Sequence, residues 1–145
     1  MRNKYHRIVQ GIRKYFKEYQ FPRAVIGLSG GIDSTLCAKL VVDAIGADRV
    51  FGLILPDKGV TAITSVEHAK MAAEVAGIKY AIHPINNFLK PFKKLPWREN
   101  HNAIINTKSR IRANILFNYA NTHNALVIGT SNKSELLLGY FTKYG

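Results

Sequence analysis

The fold is decided by one short stretch, Leu28-Ser29-Gly30-Gly31-Ile32-Asp33-Ser34-Thr35. It follows the apolar run at 24–28, Ala-Val-Ile-Gly-Leu, which is typical of a short buried β-strand. It precedes a segment at 35–45 whose apolar positions 36, 37, 40, 41, 44 and 45 recur at the spacing of one helical face. The stretch is therefore predicted to be a glycine-rich turn between a strand and an α-helix.

This turn has the features of a phosphate-binding loop. The adjacent Gly30 and Gly31 allow backbone dihedrals that other residues avoid, and they let an anion approach the main chain closely. The helix behind them presents unpaired N–H groups and the positive end of its dipole. Ser29 and Ser34 add hydroxyl donors, and Asp33 could hold a divalent cation against phosphate oxygens. No lysine occupies the turn, so it is not the common Gly-x4-Gly-Lys-Ser/Thr loop.

A simpler interpretation of the turn is a helix start that Asp33 and Ser34 cap, since both are good N-cap residues. A cap needs only one such residue, however, and it needs no paired glycines. Phosphate binding is therefore the favoured interpretation.

The composition indicates a single globular domain over residues 1–145. Apolar residues make up 47% of the chain and charged residues 21%, without repeats or low-complexity segments. The single cysteine, Cys37, excludes an internal disulfide and a cysteine-based zinc site, and its place on an apolar helix face predicts a small core residue. No apolar run is long enough to cross a membrane, and the N-terminus lacks a signal-peptide core. We expect a soluble, cytoplasmic protein without a membrane partner.

The net charge of +12 is high for this length and is unevenly distributed. Residues 2–23 carry seven basic side chains against one acidic one, Glu18. A second basic group lies in the segment 90–98 and comprises Lys90, Lys93, Lys94 and Arg98. This balance favours polyanionic partners, either ATP and dinucleotides or RNA, although most of these lysines are interpreted as solvated surface.

Further elements are predicted along the whole chain. An amphipathic helix is expected at about 3–19, with its apolar face formed by Ile8, Ile12, Tyr15, Phe16 and Tyr19. Strands are predicted at 50–55, 79–83 and 125–128. Helices are predicted from Thr64 or Ser65 to Ala76 with Gly77 as the stop, at about 103–122, and from the loop at 129–131 to about Tyr140. The segment 84–102 is expected to be a long loop of the kind that forms lids or binding segments.

Strands that alternate with helices predict an α/β fold with a doubly wound parallel sheet of about four strands. In such a sheet the first three strands extend in one direction, and the fourth returns to the other side of the first. A ligand crevice then lies beyond the carboxyl ends of strands one and four. The loops at 29–34 and 129–135 are thereby expected to face each other.

The second of these loops contains Gly129-Thr130-Ser131-Asn132-Lys133-Ser134-Glu135. It would bring a hydroxyl and a carboxylate to the phosphate loop. The alternative is a capping box, with Asn132 as the N-cap and Glu135 reaching back to it.

Four segments, in sequence order, resemble the motifs of one enzyme family. The segment Ser-Gly-Gly-Ile-Asp-Ser at 29–34 is similar to the pyrophosphate loop of the N-type ATP pyrophosphatases. The segments Asn-Thr-Lys-Ser-Arg-Ile-Arg at 106–112, Gly-Thr-Ser-Asn-Lys-Ser-Glu at 129–135 and Gly-Tyr-Phe-Thr-Lys-Tyr-Gly at 139–145 are similar to ammonia-dependent NAD synthetase. The resemblance covers essentially the whole chain, but the family's C-terminal segment, with further ATP-binding positions, has no counterpart in these 145 residues. It implies a Rossmann-like fold of the adenine nucleotide alpha hydrolase type.

The resemblance also assigns roles to individual residues. It implies that ATP is bound by Gly27, Leu28, Ser29, Gly30, Gly31, Ile32, Asp33, Ser34 and Thr130. Mg2+ would be held by Asp33 and Glu135. The dinucleotide deamido-NAD would be bound by Arg110 and Lys143, with Asn106 on the same helical face as Arg110 as a partner.

The implied reaction is the ATP-dependent amidation of deamido-NAD by ammonia through an adenylated intermediate, with release of pyrophosphate and AMP. Free ammonia or a separate glutaminase would supply the nitrogen, and two copies of the chain are expected to form a homodimer. Other pyrophosphate-loop enzymes, such as GMP synthetase or tRNA-modifying enzymes, remain alternatives, as does a nucleotide-binding chain without turnover. The chain lacks the cysteines expected of an enzyme that thiolates tRNA, so a nucleic-acid substrate is less favoured than a dinucleotide.

Overall fold

The computed structural model describes residues 2–145, which form ten helices and strands joined by short loops. The helices are α1 (Arg2–Glu18), α2 (Ile32–Ile45), α3 (Ile63–Ala76), α4 (Asn86–Leu89), α5 (His101–His123) and α6 (Lys133–Leu138). The strands are β1 (Arg23–Gly27), β2 (Val50–Ile54), β3 (Lys79–Ile82) and β4 (Ala125–Ile128). No helix among residues 2–145 is both long and apolar enough to span a membrane.

The four strands form one parallel sheet in the order β3-β2-β1-β4. Ala24 of β1 lies opposite Val50 of β2 on one side and opposite Leu126 of β4 on the other. Because β4 returns to the far side of β1, the order reverses there, as the doubly wound prediction requires. The predicted fold class and strand order are confirmed.

The core occupies both faces of the sheet, since successive side chains of a strand point in opposite directions. Ala24 and Ile26 pack into the layer formed with α1, α2 and α3, where Cys37 lies partly buried against the core as predicted. Val25, between them, belongs to the opposite layer, which α5 covers with Ile111 and Ala120. The alternation along β1 therefore gives the sheet a packed core on each face.

The apolar face predicted for α1 is partly wrong. Ile12 and Phe16 face the core, but Ile8, Tyr15 and Tyr19 are between 46% and 56% exposed. The helix is rotated so that Tyr5 and Val9 take their place. Polar contacts fix this rotation, because the Tyr5 hydroxyl donates to Asp43 Oδ2 at 2.6 Å and Arg13 Nε donates to the Ala44 carbonyl at 3.0 Å.

Several predicted element ends also differ from the structure. Helix α3 begins at Ile63 with Ala62 as an N-cap that provides no side-chain bond, so neither Thr64 nor Ser65 caps it. It does end at Gly77, which adopts the left-handed conformation. The predicted loop at 84–102 contains α4 and a 3-10 turn at Pro91–Lys94, and it is anchored because Ile85 is fully buried. Helix α6 ends at Leu138, two residues before the predicted end at about Tyr140.

Candidate active site at the carboxyl edge of the sheet

The phosphate loop follows β1 and turns at Gly30, which has a φ of +82°. A Cβ atom on Gly30 would lie 2.2 Å from the Ser65 carbonyl oxygen, so only glycine fits this position. Helix α2 then begins at Ile32 with Gly31 as the N-cap, and no side chain caps it. The interpretation that Asp33 and Ser34 cap the helix is therefore wrong, because both lie inside its first turn.

Two serine hydroxyls hold the loop in shape. Ser34 is 2% exposed, and its Oγ donates to the Gly31 carbonyl at 3.0 Å while accepting from Ser29 N at 3.3 Å. Ser29 Oγ accepts from Gly31 N at 3.2 Å and lies 3.0 Å from Ser34 Oγ. The structure thus uses the buried Ser34 hydroxyl to order the loop backbone.

The loop at 129–135 meets the phosphate loop through Asn132. Asn132 Oδ1 accepts from Glu135 N at 2.8 Å and Glu135 Oε2 accepts from Asn132 N at 3.0 Å, so the capping-box interpretation is confirmed. Asn132 Nδ2 donates to Asp33 Oδ2 at 3.4 Å. Asn132 therefore contacts both carboxylates that the sequence proposed as metal ligands, Asp33 through its side-chain amide and Glu135 through its backbone N–H. The sequence predicts only a capping role for Asn132. The signal for its contact with Asp33 was the position of its loop opposite the phosphate loop.

A cavity of about 540 Å³ opens beside these loops at the carboxyl ends of β1, β2 and β4. Four of the predicted ATP-binding residues line it, namely Gly27, Leu28, Ser29 and Thr130. Its opposite wall comes from α5 through Ser109, Arg112 and Ala113. The chain end contributes Gly145. The switch point of the sheet therefore contains a cleft large enough for a nucleotide.

The three predicted dinucleotide-binding residues come together beside the cavity. Asn106 Oδ1 accepts from the Thr142 hydroxyl at 2.7 Å, and Arg110 Nε donates to the Lys143 carbonyl at 3.3 Å. Lys143 Nζ lies 5.1 Å from the centre of the Tyr144 ring, a cation–π distance. The C-terminal turn is thereby attached to the exposed stripe of α5.

Sequence reasoning missed a buried charge network at the end of β2. Asp57 is 5% exposed, and its Oδ2 lies 2.7 Å from Lys108 Nζ while Oδ1 accepts from Asn86 Nδ2 at 3.0 Å. Nearby, Arg112 Nε donates to the Leu55 carbonyl at 2.9 Å. Burial lowers the pKa of Arg112, and the Asp57 charge opposes that shift. The signal available in the sequence was the position of Asp57, a carboxylate just after β2 at the edge of the sheet where ligands bind.

Comparison with known proteins places this site in a family. The NAD synthase family model matches residues 4–145. The NH3-dependent NAD+ synthetase of Methanocaldococcus jannaschii is 49% identical over 144 residues, which is 97% of this chain and 55% of that protein.

Two solved structures share the fold. The structure of the NH3-dependent NAD synthetase from Campylobacter jejuni matches 99% of this chain and 62% of its own, with a TM-score of 0.93 and 37% identity. The structure of NMN synthetase from Francisella tularensis matches 99% of this chain and 60% of its own, with a TM-score of 0.89 and 30% identity. The chain spans about half the length of the curated relatives it matches. It belongs to the NAD synthase family.

Proposed function

We propose that the chain carries out the ATP-dependent amidation of deamido-NAD by ammonia, which gives NAD, AMP and pyrophosphate. The observation that carries this proposal is the contact between Asn132 and Asp33, which joins the phosphate loop to the loop at 129–135, and both loops line one cavity through Ser29 and Thr130. The Asn106, Arg110 and Lys143 cluster lies alongside, because Ser109 and Gly145 line the same cavity. ATP and a dinucleotide can thus approach each other there.

ATP binding is assigned to the loop from Gly27 to Ser34 and to Thr130. The first amides of α2 have no intrahelical partners, and the dipole of this 14-residue helix favours negative charge at the same end. The Gly30 turn lets phosphate oxygens reach the main chain without a side chain in the way. This arrangement stabilises the charge that develops on a leaving pyrophosphate.

Mg2+ fits the donor set of Asp33 and Glu135. Each carboxylate gives only one oxygen to Asn132 within residues 2–145, which leaves Asp33 Oδ1 and Glu135 Oε1 for a cation. No group of three or more His, Cys, Asp or Glu side chains in the described part of the chain forms a metal site. A pair of carboxylates completed by substrate phosphates is the environment that Mg2+ commonly takes, where it neutralises phosphate charge.

Deamido-NAD is assigned to Asn106, Arg110 and Lys143. In the proposed reaction the nicotinate carboxylate oxygen attacks the α-phosphorus of ATP, the bond to the β-phosphate breaks, and pyrophosphate leaves. Ammonia then attacks the adenylated carbonyl carbon, AMP leaves, and a proton is lost to give the amide. The chain contributes positioning and charge stabilisation, which suffice for an in-line transfer between bound groups.

We propose further that two copies pair through the surface of α6 and the adjoining turn. Leu136, Leu137, Leu138 and Tyr140 are each at least 65% exposed, and Phe117 on α5 is 57% exposed. Exposed apolar side chains of this kind are typical of a subunit contact, and a second copy would cover them symmetrically.

The test is NAD formation by the purified chain from deamido-NAD, ATP, Mg2+ and ammonium, with pyrophosphate release measured separately. Asp33→Asn is expected to abolish pyrophosphate release, whereas Glu18→Gln, an exposed carboxylate on α1, is the control that retains it. Glutamine in place of ammonium is expected to give no NAD unless a glutaminase is added. Nicotinic acid mononucleotide is included as a competing substrate, because the fold is shared with a mononucleotide synthetase. ATP binding without any turnover would contradict the proposal and indicate a nucleotide-binding chain.

A further inference from the structure

Lys108 and Arg112 lie one helical turn apart on α5, so their side chains share a face that looks toward the end of β2. Lys108 and Asn86 satisfy both oxygens of the buried Asp57 carboxylate. Each Asp57 oxygen thus already has a partner, and among residues 2–145 no hydrogen bond or ion pair joins Asp57 to Arg112. Two cations and one anion leave one uncompensated positive charge at the cavity wall, partly shielded from water.

Arg112 uses its guanidinium differently from two other arginines that bind backbone carbonyls. Arg49 donates through Nε to Pro22 and through Nη2 to Phe21, and Arg13 donates through Nε to Ala44 and through Nη2 to Asp43. Each of these uses both Nε and Nη2 to bind two consecutive backbone carbonyls. Within residues 2–145, Arg112 has a single hydrogen bond, from Nε to the Leu55 carbonyl, while it lines the cavity. Its Nη groups are left for something that enters the cavity.

The charge and position of Arg112 indicate which group that is. Arg110 lies two residues away, about 200° around the helix, and faces the C-terminal turn with Asn106 and Lys143. Arg112 instead shares its cavity with Gly27, Ser29 and Thr130. An arginine stays protonated at all working pH values, and its planar fork matches a phosphate.

We propose that Arg112 binds the α-phosphate of the nucleotide, the group that AMP retains, while the loop at 29–34 binds the pyrophosphate part. This inference rests on the proposed function. The α-phosphate keeps a negative charge through both steps, so a permanent cation beside it is useful throughout. Lys108 and Asp57 act as positioning residues, because their ion pair prevents Asp57 from drawing the Arg112 fork away from the cavity.

The experiment measures binding of AMP and of inorganic pyrophosphate with Mg2+, separately, by calorimetry on the 145-residue chain. Arg112→Gln is expected to weaken AMP binding about 10- to 100-fold and to leave pyrophosphate binding within about twofold. Arg112→Lys, which keeps the charge but loses the fork, is expected to fall between. Arg49→Gln is the matched control, because it also loses bonds to carbonyls but lies away from the cavity, and it should change neither affinity.

Unchanged AMP affinity in Arg112→Gln would overturn the inference and leave Arg112 as a structural tie to Leu55. Loss of deamido-NAD binding with AMP binding intact would also overturn it, since the bound anion would then belong to the dinucleotide and not to AMP. If Arg112→Gln does not fold, Arg112→Lys decides the matter, because wild-type AMP affinity in that variant refutes a role for the fork. A wild-type chain that binds neither AMP nor pyrophosphate contradicts the proposed function itself, whereas normal wild-type binding with an indifferent Arg112→Gln contradicts only this inference.

Discussion

Asn132 Nδ2 lies 3.4 Å from Asp33 Oδ2, although 99 residues separate the two along the chain. The same side chain caps α6 through its oxygen, so one residue fixes a helix and also orients a carboxylate of the phosphate loop. The geometry of the candidate cation site therefore depends on a helix cap.

Asn132→Ala should lower the free energy of unfolding by about 1 kcal/mol, because the cap of α6 is lost. It should also raise the Mg2+ concentration needed for ATP binding, because Asp33 loses its amide partner. Asn100→Ala is the matched control, since Asn100 caps α5 by accepting from Ala103 N at 2.9 Å and has no carboxylate partner among residues 2–145. An equal Mg2+ shift in both variants would show that Asn132 acts only through stability.

Gly30→Ala should destabilise the fold by at least about 2 kcal/mol, because a Cβ there combines a positive φ with a clash against Ser65. Urea unfolding measures this loss, and ATP binding should disappear with the loop conformation. Gly59→Ala separates the two causes, because Gly59 has a φ of +89° but open space around its Cβ. If both variants lose the same stability, the clash contributes nothing.

Arg110→Ala should weaken deamido-NAD binding about tenfold while ATP binding stays nearly unchanged. The reason is that Arg110 faces the C-terminal turn at Lys143 and does not line the nucleotide cavity. Calorimetry with each ligand is the measurement, with Arg7→Ala as a control for loss of an exposed helical arginine. Equal losses for both ligands would contradict the assignment.

Tyr5→Phe should cost about 1 kcal/mol at neutral pH, because the bond to Asp43 is lost. Hydrogen bonds from Lys39, and then from Tyr5, hold the pKa of Asp43 below its usual value of 3.8. The stability that the Asp43 carboxylate contributes is therefore fully present above pH 3.8, and it is lost as the pH falls through the lower pKa of the folded state. The bond to Asp43 also raises the pKa of Tyr5 above 10.0, so at alkaline pH the stabilisation is lost as the pH rises through the raised value. Urea unfolding of wild type and variant at pH 7 and pH 3 should show the difference shrinking in acid. Tyr19→Phe, at an exposed tyrosine directly after that helix, should show no difference at either pH.

Sedimentation equilibrium should give twice the chain mass of 16.2 kDa at micromolar concentration. Leu137→Glu should shift the chain toward the monomer, because a charge in an apolar contact cannot be solvated once the contact closes. Val75→Glu, at an equally exposed aliphatic position on α3, should leave the mass unchanged. A wild-type monomer would refute pairing through α6.

The fold was predictable because the strands of a doubly wound sheet are short, apolar and separated by helical patterns. The predicted boundaries of β4 match the structure, since Asn124 and Gly129 bound a continuous apolar run. The face of α1 was not predictable from its own pattern, because Ile8 and Val9 are equally apolar and the choice depends on bonds from Tyr5 and Arg13 to α2. The periodicity of the helix sequence carries no information about a hydrogen-bond partner that is 30 or more residues away along the chain.

The candidate site was predictable where a motif and topology coincided. Strand order alone places the loop of Asp33 opposite that of Glu135, and the structure bridges them through Asn132. The Asp57 and Lys108 ion pair was not predictable, because it joins a loop after β2 to the middle of α5 across 51 residues with no local pattern. Ordinary lysines on helices are solvated, so nothing in the sequence distinguished Lys108 from the rest.

The two faces of α5 have a consequence for how this chain can change in length. Asn106 and Arg110 occupy one stripe of the helix, and Lys108 and Arg112 occupy another, and the two pairs alternate along the chain. Each residue added or deleted between 106 and 112 would therefore turn the positions before it by about 100° relative to those after it. Such a change would separate the two stripes from their partners at once, and no neighbouring loop could absorb it. The connection at 90–100, by contrast, can lengthen or shorten with little effect on either stripe. Insertions and deletions among relatives should therefore be tolerated before α5 and absent from its first three turns.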